Sequence, residues 1–170
     1  ASDVYKRQWT HDTRLRALLA CLIGQRRAVN ELPMLIDSHV NLHHHSYDED
    51  RDAVIARARD AGVKRMLTIC DKIENFPAVM AIAEANADIY ASVGAHPHYA
   101  KDHLDLTAAK LIELGAHERV VGVGETGLDQ HYKHSPFDDQ VQVFRAHAEA
   151  ARRLDKTLII HTREADEAMA

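Results

Sequence analysis

Cysteine, aromatic residues and excess basic charge are all scarce in this 170-residue sequence. Its two cysteines, Cys21 and Cys70, lie far apart without zinc-like spacing, which excludes a disulfide framework and favours a reducing, cytoplasmic compartment. Because 46% of the residues are hydrophobic but only 5% are aromatic, the core must consist of Ala, Val, Ile and Leu, a composition typical of helices packed on a parallel sheet. The net charge of −5 gives no general attraction for nucleic acid, so an anionic substrate would need a metal ion or a local basic site.

Long hydrophobic runs are also missing. The run from Ala17 to Ile23 is far too short to cross a bilayer and lacks a signal-peptide cleavage site, so we expect no membrane partner. Residues 1–33 hold six basic and three acidic residues, whereas residues 34–170 hold 15 and 23. This change in composition predicts that residues 1–33 lie outside the domain, that residues 34–170 form it, and that Met34 is the natural start. A short amphipathic helix in the first segment is the alternative.

Predicted strands and helices alternate five times from Met34 onward. The strands are predicted at Leu35–Ile36, Arg65–Cys70, Ile89–Val93, from Val120, and at Thr157–Ile160. The helices are predicted from about Asp48 to Gly62, from a cap at Asn75, from Thr107 to Gly115, and from Ser135-Pro136. Their inward faces are predicted as Val54, Ala58 and Ala61, then Phe76, Val79, Met80 and Ala83, and in the long fourth helix Phe137, Val141, Phe144 and Ala148. This alternation is typical of βα units and a parallel sheet.

The stretch from Val120 to Asp129 carries the most informative single motif. A β-branched run here delivers Glu125 into a turn flanked by glycines, where no neighbouring side chain crowds the carboxylate. That is a common way to present an active-site acid, and we interpret Glu125 as a ligand or a catalytic residue.

The same stretch satisfies a Gly-x-Gly-x-x-Gly pattern at Gly122, Gly124 and Gly127, which a nucleotide-binding fold uses to approach a pyrophosphate. That motif requires a helix directly after the third glycine and an acidic residue at the end of the next strand. Here the next helix begins only at Ser135-Pro136, and the next strand ends in His161. A non-catalytic α/β nucleotide-binding module is therefore the less favoured alternative, as is a purely structural turn.

Polar side chains follow each predicted strand at its carboxyl end. In chain order they are Asp37 and His39, Cys70 and Asp71, His96 and His98, Glu125 and Asp129, and His161 and Arg163. In a parallel α/β fold these ends meet on one face, so residues distant in sequence become neighbours in space. This convergence indicates a metal or phosphate site more strongly than any single motif does.

Two of these strand ends hold pairs of polar residues two positions apart. His39 and Asn41 point to the same side of an extended segment, as two ligands of one metal must. Pro97 stiffens the backbone between His96 and His98 and would hold both imidazoles in fixed directions. For the first pair the alternative is a strand-end histidine followed by an asparagine in a turn, and for the second pair it is a cis-proline or a capping turn.

Further histidines and an arginine leave alternatives open. The consecutive histidines at 43–45 are predicted to lie on a solvated loop, because neighbouring residues rarely chelate a metal in common geometry. His161 is either a ligand or a satisfied core histidine. Arg163 either faces solvent or grips a phosphate through two parallel hydrogen bonds.

The residues from Met34 onward resemble the TatD family of metal-dependent hydrolases, within the amidohydrolase-like TIM barrels. The matching pieces are Leu35–His39, Asp50–Gly62, Gly94–His98, Val123–Asp129 and Ile160–Arg163. The resemblance implies an α/β fold of TIM-barrel-type parallel βα units, of which about five of the eight strands fit into this sequence. It also implies a site for two divalent metal ions, Mg²⁺, Mn²⁺ or Zn²⁺, that hydrolyses phosphodiester bonds. The implied partner is DNA or a small phosphoester.

The resemblance assigns roles residue by residue. The implied metal ligands are His39, Asn41, Glu125 and His161, the implied catalytic residues are Glu125, His96 and Asp129, and the implied substrate-binding residues are His96, His98 and Arg163. Many family members have histidine where this sequence has Asn41, and an amide oxygen favours Mg²⁺ or Mn²⁺ over Zn²⁺. The family places a further histidine and an aspartate ligand on strands later than the fifth. We therefore expect little nuclease activity from this chain alone, and unpaired apolar edges at its first and fifth strands that promote association.

Overall fold

The computed structural model describes residues 34–169, in which five strands alternate with helices. In chain order the elements are β1 (Leu35–Val40), α1 (Arg51–Asp60), β2 (Val63–Thr68), α2 (Phe76–Ala85), β3 (Ile89–Val93), α3 (Ala108–Gly115), β4 (Val120–Asp129), α4 (Phe137–Leu154), β5 (Thr157–Arg163) and α5 (Asp166–Met169). Three single 3₁₀ segments lie in the loops, at His45–Tyr47, Ile73–Asn75 and Pro97–Asp102. The predicted alternation of strands and helices is confirmed.

The five strands form one sheet in the order β1-β2-β3-β4-β5, and all neighbouring strands are parallel. Spatial order follows chain order, so each crossover joins adjacent strands, as in a barrel built from βα units. This arrangement confirms the predicted parallel α/β architecture. It also brings all five carboxyl ends to one face.

The core lies mainly between the sheet and α2, α3 and α4. Its fully buried members are aliphatic residues of the strands and helices, such as Val79, Val93, Leu111, Val123 and Val143. A second, smaller cluster under α1 consists of Leu42, Ile55, Val63, Met66 and Ile89. The expected construction from small aliphatic side chains is confirmed.

Two of the predicted helix faces need correction. In α2 the buried residues are Phe76, Val79, Met80 and Ala83, as predicted. In α4 they are Gln140, Val143, His147, Ala150 and Ala151, not the predicted stripe that starts at Phe137. Phe137 is 40% exposed. The α4 face was predicted wrongly because two polar residues point inward and make hydrogen bonds there.

In α1 the buried residue is Ile55, whereas Val54 and Ala58 are half-buried and Ala61 is exposed. The predicted α1 face was therefore displaced by one position along the helix.

The strands also extend further than predicted. β1 continues past Ile36 and includes His39, and β5 continues past Ile160 to Arg163. Glu125 lies within β4 and not in a turn beyond it. Pairing with the neighbouring strand explains the extension, because Thr126 to Asp129 of β4 lie beside residues 160 to 163 of β5.

Among the described strands, β1 and β5 are the outermost, and both carry exposed apolar side chains. Leu35, Ile36 and Ile160 are 47%, 60% and 48% exposed, which agrees with the predicted apolar edges. No helix in residues 34–169 is long and apolar enough to span a membrane. The prediction that residues 1–33 lie outside the domain concerns residues outside the described part of the chain.

Candidate active site

The carboxylate of Glu125 lies between two histidines from the two ends of the sheet. Its Oε2 atom is 3.2 Å from Nε2 of His39 on β1, and its Oε1 atom is 3.4 Å from Nδ1 of His161 on β5. Burial would raise the pKa of Glu125, but hydrogen bonds with His161 and His39 outweigh it and hold the pKa well below its usual range. Hydrogen bonds with Glu125 raise the pKa of both histidines in turn. The structure thus brings together three of the four predicted metal ligands.

Asp129 forms a second carboxylate centre at the end of β4. Its Oδ2 atom is 2.8 Å from Nε2 of His98 and 3.1 Å from Nε2 of His161. Its Oδ1 atom accepts backbone hydrogen bonds from His131 and Tyr132. The side chain is fully buried, yet these hydrogen bonds keep its pKa well below the usual range against the effect of burial. An anionic Asp129 therefore fixes the orientation of two imidazoles.

Three histidines form a compact group beside Glu125. Nε2 of His96 is 3.1 Å from Nδ1 of His161, and one ligand atom from each of His96, His98 and His161 lies within 4.8 Å of the others. Burial lowers the pKa of His96 to about 4, so this imidazole is neutral near pH 7. A neutral imidazole can accept a hydrogen bond or bind a metal.

The remaining predicted site residues lie at the margin of this group or outside it. Asn41 directly follows β1 and is half-buried, and in the described part of the chain its side chain makes no hydrogen bond to the histidines or carboxylates. Arg163 at the end of β5 is exposed, with its guanidinium 4.6 Å from the ring centroid of Tyr132. Cys70 is fully buried, and burial raises the pKa of its thiol to about 12. Cys70 is therefore a core residue and not a ligand.

The prediction that His43 lies on a solvated loop is wrong. Its side chain is 5% exposed, and its Nε2 atom is 2.9 Å from Oδ1 of Asp71 at the end of β2. Asn75, predicted as a helix cap, instead donates its side-chain N–H to the same Asp71 oxygen at 2.8 Å. These contacts lower the pKa of Asp71 to about 2 despite its burial. Three consecutive histidines look alike in the sequence, which therefore does not show that the side chain of one is buried and the side chains of the other two are more exposed.

Sequence reasoning missed two residues of α4 that support the site. The side chain of Gln140 accepts from the backbone N–H of Asp129 at 2.7 Å and donates to its carbonyl at 3.1 Å. Nε2 of His147 accepts from the backbone N–H of Ala95, next to His96, at 3.0 Å. Both side chains are buried. The sequence signal for these two residues was a glutamine and a histidine seven positions apart, a spacing that places both on one face of a helix.

The glycines of β4 serve strand packing. A Cβ atom on Gly124 would collide with the carbonyl of Ile159, and one on Gly94 would lie 2.5 Å from the Cα of Gly124. Gly124 and Gly127 also have φ values of +132° and +142°, and the Gly124–Glu125 peptide is cis. α4 begins only at Phe137, so these glycines do not open a helix as a phosphate-binding loop does.

The donor set suits a divalent metal ion. Glu125 supplies an anionic oxygen, His39 and His161 supply imidazole nitrogens, and His96 is neutral near pH 7. Asp129 hydrogen-bonds two of the imidazoles, an arrangement that commonly orients histidine ligands of metals. The group lies where parallel α/β proteins place their active sites.

Comparison with known proteins identifies similar sequences over the same residues. The family profile described as "TatD related DNase" matches residues 36–170. An uncharacterized metal-dependent hydrolase of Bacillus subtilis, YabD, is 39% identical over 134 residues, which cover 79% of this chain and 52% of that protein. The protein named 3'-5' ssDNA/RNA exonuclease TatD in Musicola paradisiaca is 36% identical over 132 residues, 77% of this chain and 50% of that protein. The chain thus spans about half the length of these relatives.

Solved structures agree with the fold. The crystal structure of YJJV, a TatD homologue from Escherichia coli, has a TM-score of 0.73 and 30% sequence identity, and the match covers 79% of this chain and 53% of that one. A TatD-family hydrolase from Entamoeba histolytica has a TM-score of 0.69 at 20% identity, over 79% of this chain and 52% of that one.

Proposed function

Because this chain belongs to the family of TatD-related DNases, we propose that it supplies metal and phosphate ligands of a hydrolase that cleaves phosphodiester bonds in DNA. The similar proteins named as a metal-dependent hydrolase and as a 3'-5' ssDNA/RNA exonuclease support this reaction class. Single-stranded nucleic acid is the proposed substrate, and a small phosphoester is the alternative. We also propose a cytoplasmic location for the protein.

The single observation that carries the proposal is the position of Glu125. A half-buried carboxylate with a depressed pKa, held between imidazoles from β1 and β5, is the charge distribution that a divalent cation would complete. We propose His39, Glu125 and His161 as metal ligands, with the Asn41 amide oxygen as a weaker ligand. A bound metal would supply a hydroxide nucleophile and would stabilise charge on the leaving oxygen.

The residues around the proposed metal ligands orient the imidazoles and contact the substrate phosphate. Asp129 keeps the Nε2 atoms of His98 and His161 directed toward itself. The Nδ1 atoms of both rings therefore point away from Asp129. The neutral His96 accepts a proton or a hydrogen bond at neutral pH. We propose that His96, His98 and Arg163 contact the substrate phosphate, where the fixed positive charge of Arg163 offsets the negative net charge of the protein. In this arrangement His96 and Asp129 assist catalysis together with Glu125.

A second ligand set overlaps the first. His96, His98 and His161 have ligand atoms within 4.8 Å of one another, which favours an imidazole-rich metal site that includes the two residues assigned to the phosphate. Imidazoles select Zn²⁺, whereas carboxylate and amide oxygens select Mg²⁺ or Mn²⁺. Calorimetric titration of a His96→Ala, His98→Ala double variant separates the two sets. If His96 and His98 contact the phosphate, this variant keeps its Mn²⁺ affinity and binds DNA more weakly. If they are metal ligands, its Zn²⁺ affinity falls sharply.

Metal-dependent binding and hydrolysis of a single-stranded oligonucleotide test the function. We expect Mn²⁺ to promote oligonucleotide binding by the wild-type chain and not by Glu125→Ala, with any turnover showing the same dependence. Mononucleotide binding that is indifferent to metal and to Glu125 would instead support the nucleotide-binding module.

A further inference from the structure

A cluster of exposed planar side chains borders the candidate active site. We define the stacking patch as Tyr132, His134 and Arg163, which lie in the loop after β4 and at the end of β5. The rings of Tyr132 and His134 are parallel within 4°, with centroids 5.6 Å apart. The Arg163 guanidinium lies over the Tyr132 ring at 4.6 Å from the centroid. All three residues are exposed, and Tyr132 is 48% exposed.

The stacking patch is continuous with the histidine group of the active site. The His98 ring packs edge-on against Tyr132, with centroids 5.3 Å apart, and against His134, at 4.6 Å. His98 also hydrogen-bonds Asp129, whose Oδ1 atom accepts the backbone N–H of Tyr132 at 2.8 Å. One buried carboxylate therefore fixes both the proposed phosphate contact and the neighbouring tyrosine.

Burial does not explain these rings. Aromatic residues make up only 5% of the sequence, and a large exposed ring contributes little to the core. Two of the exposed side chains in this region, Lys133 and Arg163, are basic, in a protein whose net charge is −5. Exposed rings interleaved with basic side chains are the usual surface for unpaired bases, since every base has a face that stacks on an aromatic ring or a guanidinium.

We propose that the stacking patch holds the unpaired base of the nucleotide whose phosphate lies at the histidine group, with Tyr132 as the specificity-determining residue. The inference rests on the proposed function and sharpens it: the substrate must be single-stranded at the bound nucleotide, because a paired base cannot reach the patch while it stays in a duplex. A small phosphoester without a base would gain nothing from Tyr132. His131 lies beside Tyr132 but pairs with Glu164 at 2.7 Å, and we assign it no contact with the base.

Fluorescence of a single-stranded oligonucleotide with 2-aminopurine at its 3′ end tests the proposal, because stacking quenches this base. Wild type and Tyr132→Phe should quench the signal in Mn²⁺, whereas Tyr132→Ala should not and should bind about 5- to 150-fold more weakly, the range found for loss of one base–aromatic stack. An otherwise identical oligonucleotide with an abasic 3′ residue should bind wild type and Tyr132→Ala alike. Arg163→Ala should also weaken binding, whereas Arg119→Ala should not, although Arg119 likewise lies over a tyrosine ring, that of Tyr90.

The outcomes separate this inference from the proposed function. Equal affinity of wild type and Tyr132→Ala for the 2-aminopurine oligonucleotide, with Glu125-dependent Mn²⁺ binding intact, would overturn the stacking patch and leave the hydrolase proposal standing. Loss of Mn²⁺ and oligonucleotide binding in every protein, wild type included, would overturn both. Thermal melting of each variant, compared with wild type, identifies any variant that fails to fold, and Tyr132→Leu, which keeps an apolar side chain but has no ring, then replaces Tyr132→Ala in the comparison with Tyr132→Phe.

Discussion

The Nε2 atom of His39 lies 3.2 Å from the Oε2 atom of Glu125, although β1 and β4 are separated by two other strands. In a flat sheet, three interstrand spacings would place these strands about 14 Å apart. Their side chains meet because the sheet curls and the ends of β1 and β4 face each other. The candidate site therefore depends on the curvature of the whole sheet and not on one loop.

The buried side chain of Gln140 should contribute more to the free energy of unfolding than an exposed glutamine on the same helix. Replacing Gln140 by leucine keeps the side-chain volume but leaves the backbone N–H of Asp129 without its buried partner. We predict a loss of about 1–3 kcal/mol in the free energy of unfolding, measured by urea denaturation. Gln142→Leu is the matched control, because Gln142 makes one exposed hydrogen bond to Leu104 and should cost much less. Equal losses in both variants would contradict a positioning role for Gln140.

His147 should make stability depend on pH in a defined window. Burial lowers its pKa in the folded protein to about 4, from 6.5 in the unfolded chain. Between these values the unfolded chain binds a proton that the folded protein does not, so stability falls as the pH drops from 6.5 to 4 and this contribution levels off below pH 4. The full contribution is about 3 kcal/mol.

The difference in unfolding free energy between wild type and His147→Gln isolates this effect, because the other histidines are common to both proteins. We expect that difference to shrink as the pH falls from 7 to 4 in urea titrations. A difference that stays constant over this range would show that His147 does not titrate as described.

The sequence predicted the parallel architecture and the convergence of its strand ends on one face. Strand–helix alternation was sufficient for a parallel sheet, and a parallel sheet brings Glu125, His39 and His161 to one face. The sequence could not show which of the three histidines at 43–45 is buried, because that depends on the position of Asp71 at the end of another strand. The α4 face was also unpredictable from apolar spacing, because buried Gln140 and His147 satisfy backbone groups of distant residues.

Deletion of residues 1–33 should leave the fold intact. The composition changes at Met34, and the family profile begins its match at residue 36. We predict that residues 34–170 alone melt within a few degrees of the full chain, and that protease removes the first segment early. A much lower melting temperature for the shortened chain would place part of residues 1–33 in the folded domain.

Metal binding should release protons and weaken in acid. Hydrogen bonds with Glu125 raise the pKa of His39 and His161 above 6.5, and a metal binds only the deprotonated imidazoles. We predict that Mn²⁺ affinity falls as the pH is lowered from 8 to 6. Calorimetry in buffers of different ionisation enthalpy counts the protons released. A binding enthalpy that is identical in all buffers would show that these two histidines are not ligands.

Calorimetric titration of Mn²⁺ into wild type, Glu125→Gln and Glu164→Gln tests the metal-binding role of Glu125 most directly. Glutamine keeps the shape of Glu125 but removes the charge that lies between His39 and His161, while Glu164 is an exposed carboxylate at the end of β5, outside the histidine group. We predict that Glu125→Gln loses more than about 100-fold in Mn²⁺ affinity, beyond the effect typical of residues that only support a ligand, and that Glu164→Gln binds as wild type does. Equal Mn²⁺ affinity in all three proteins would contradict this role.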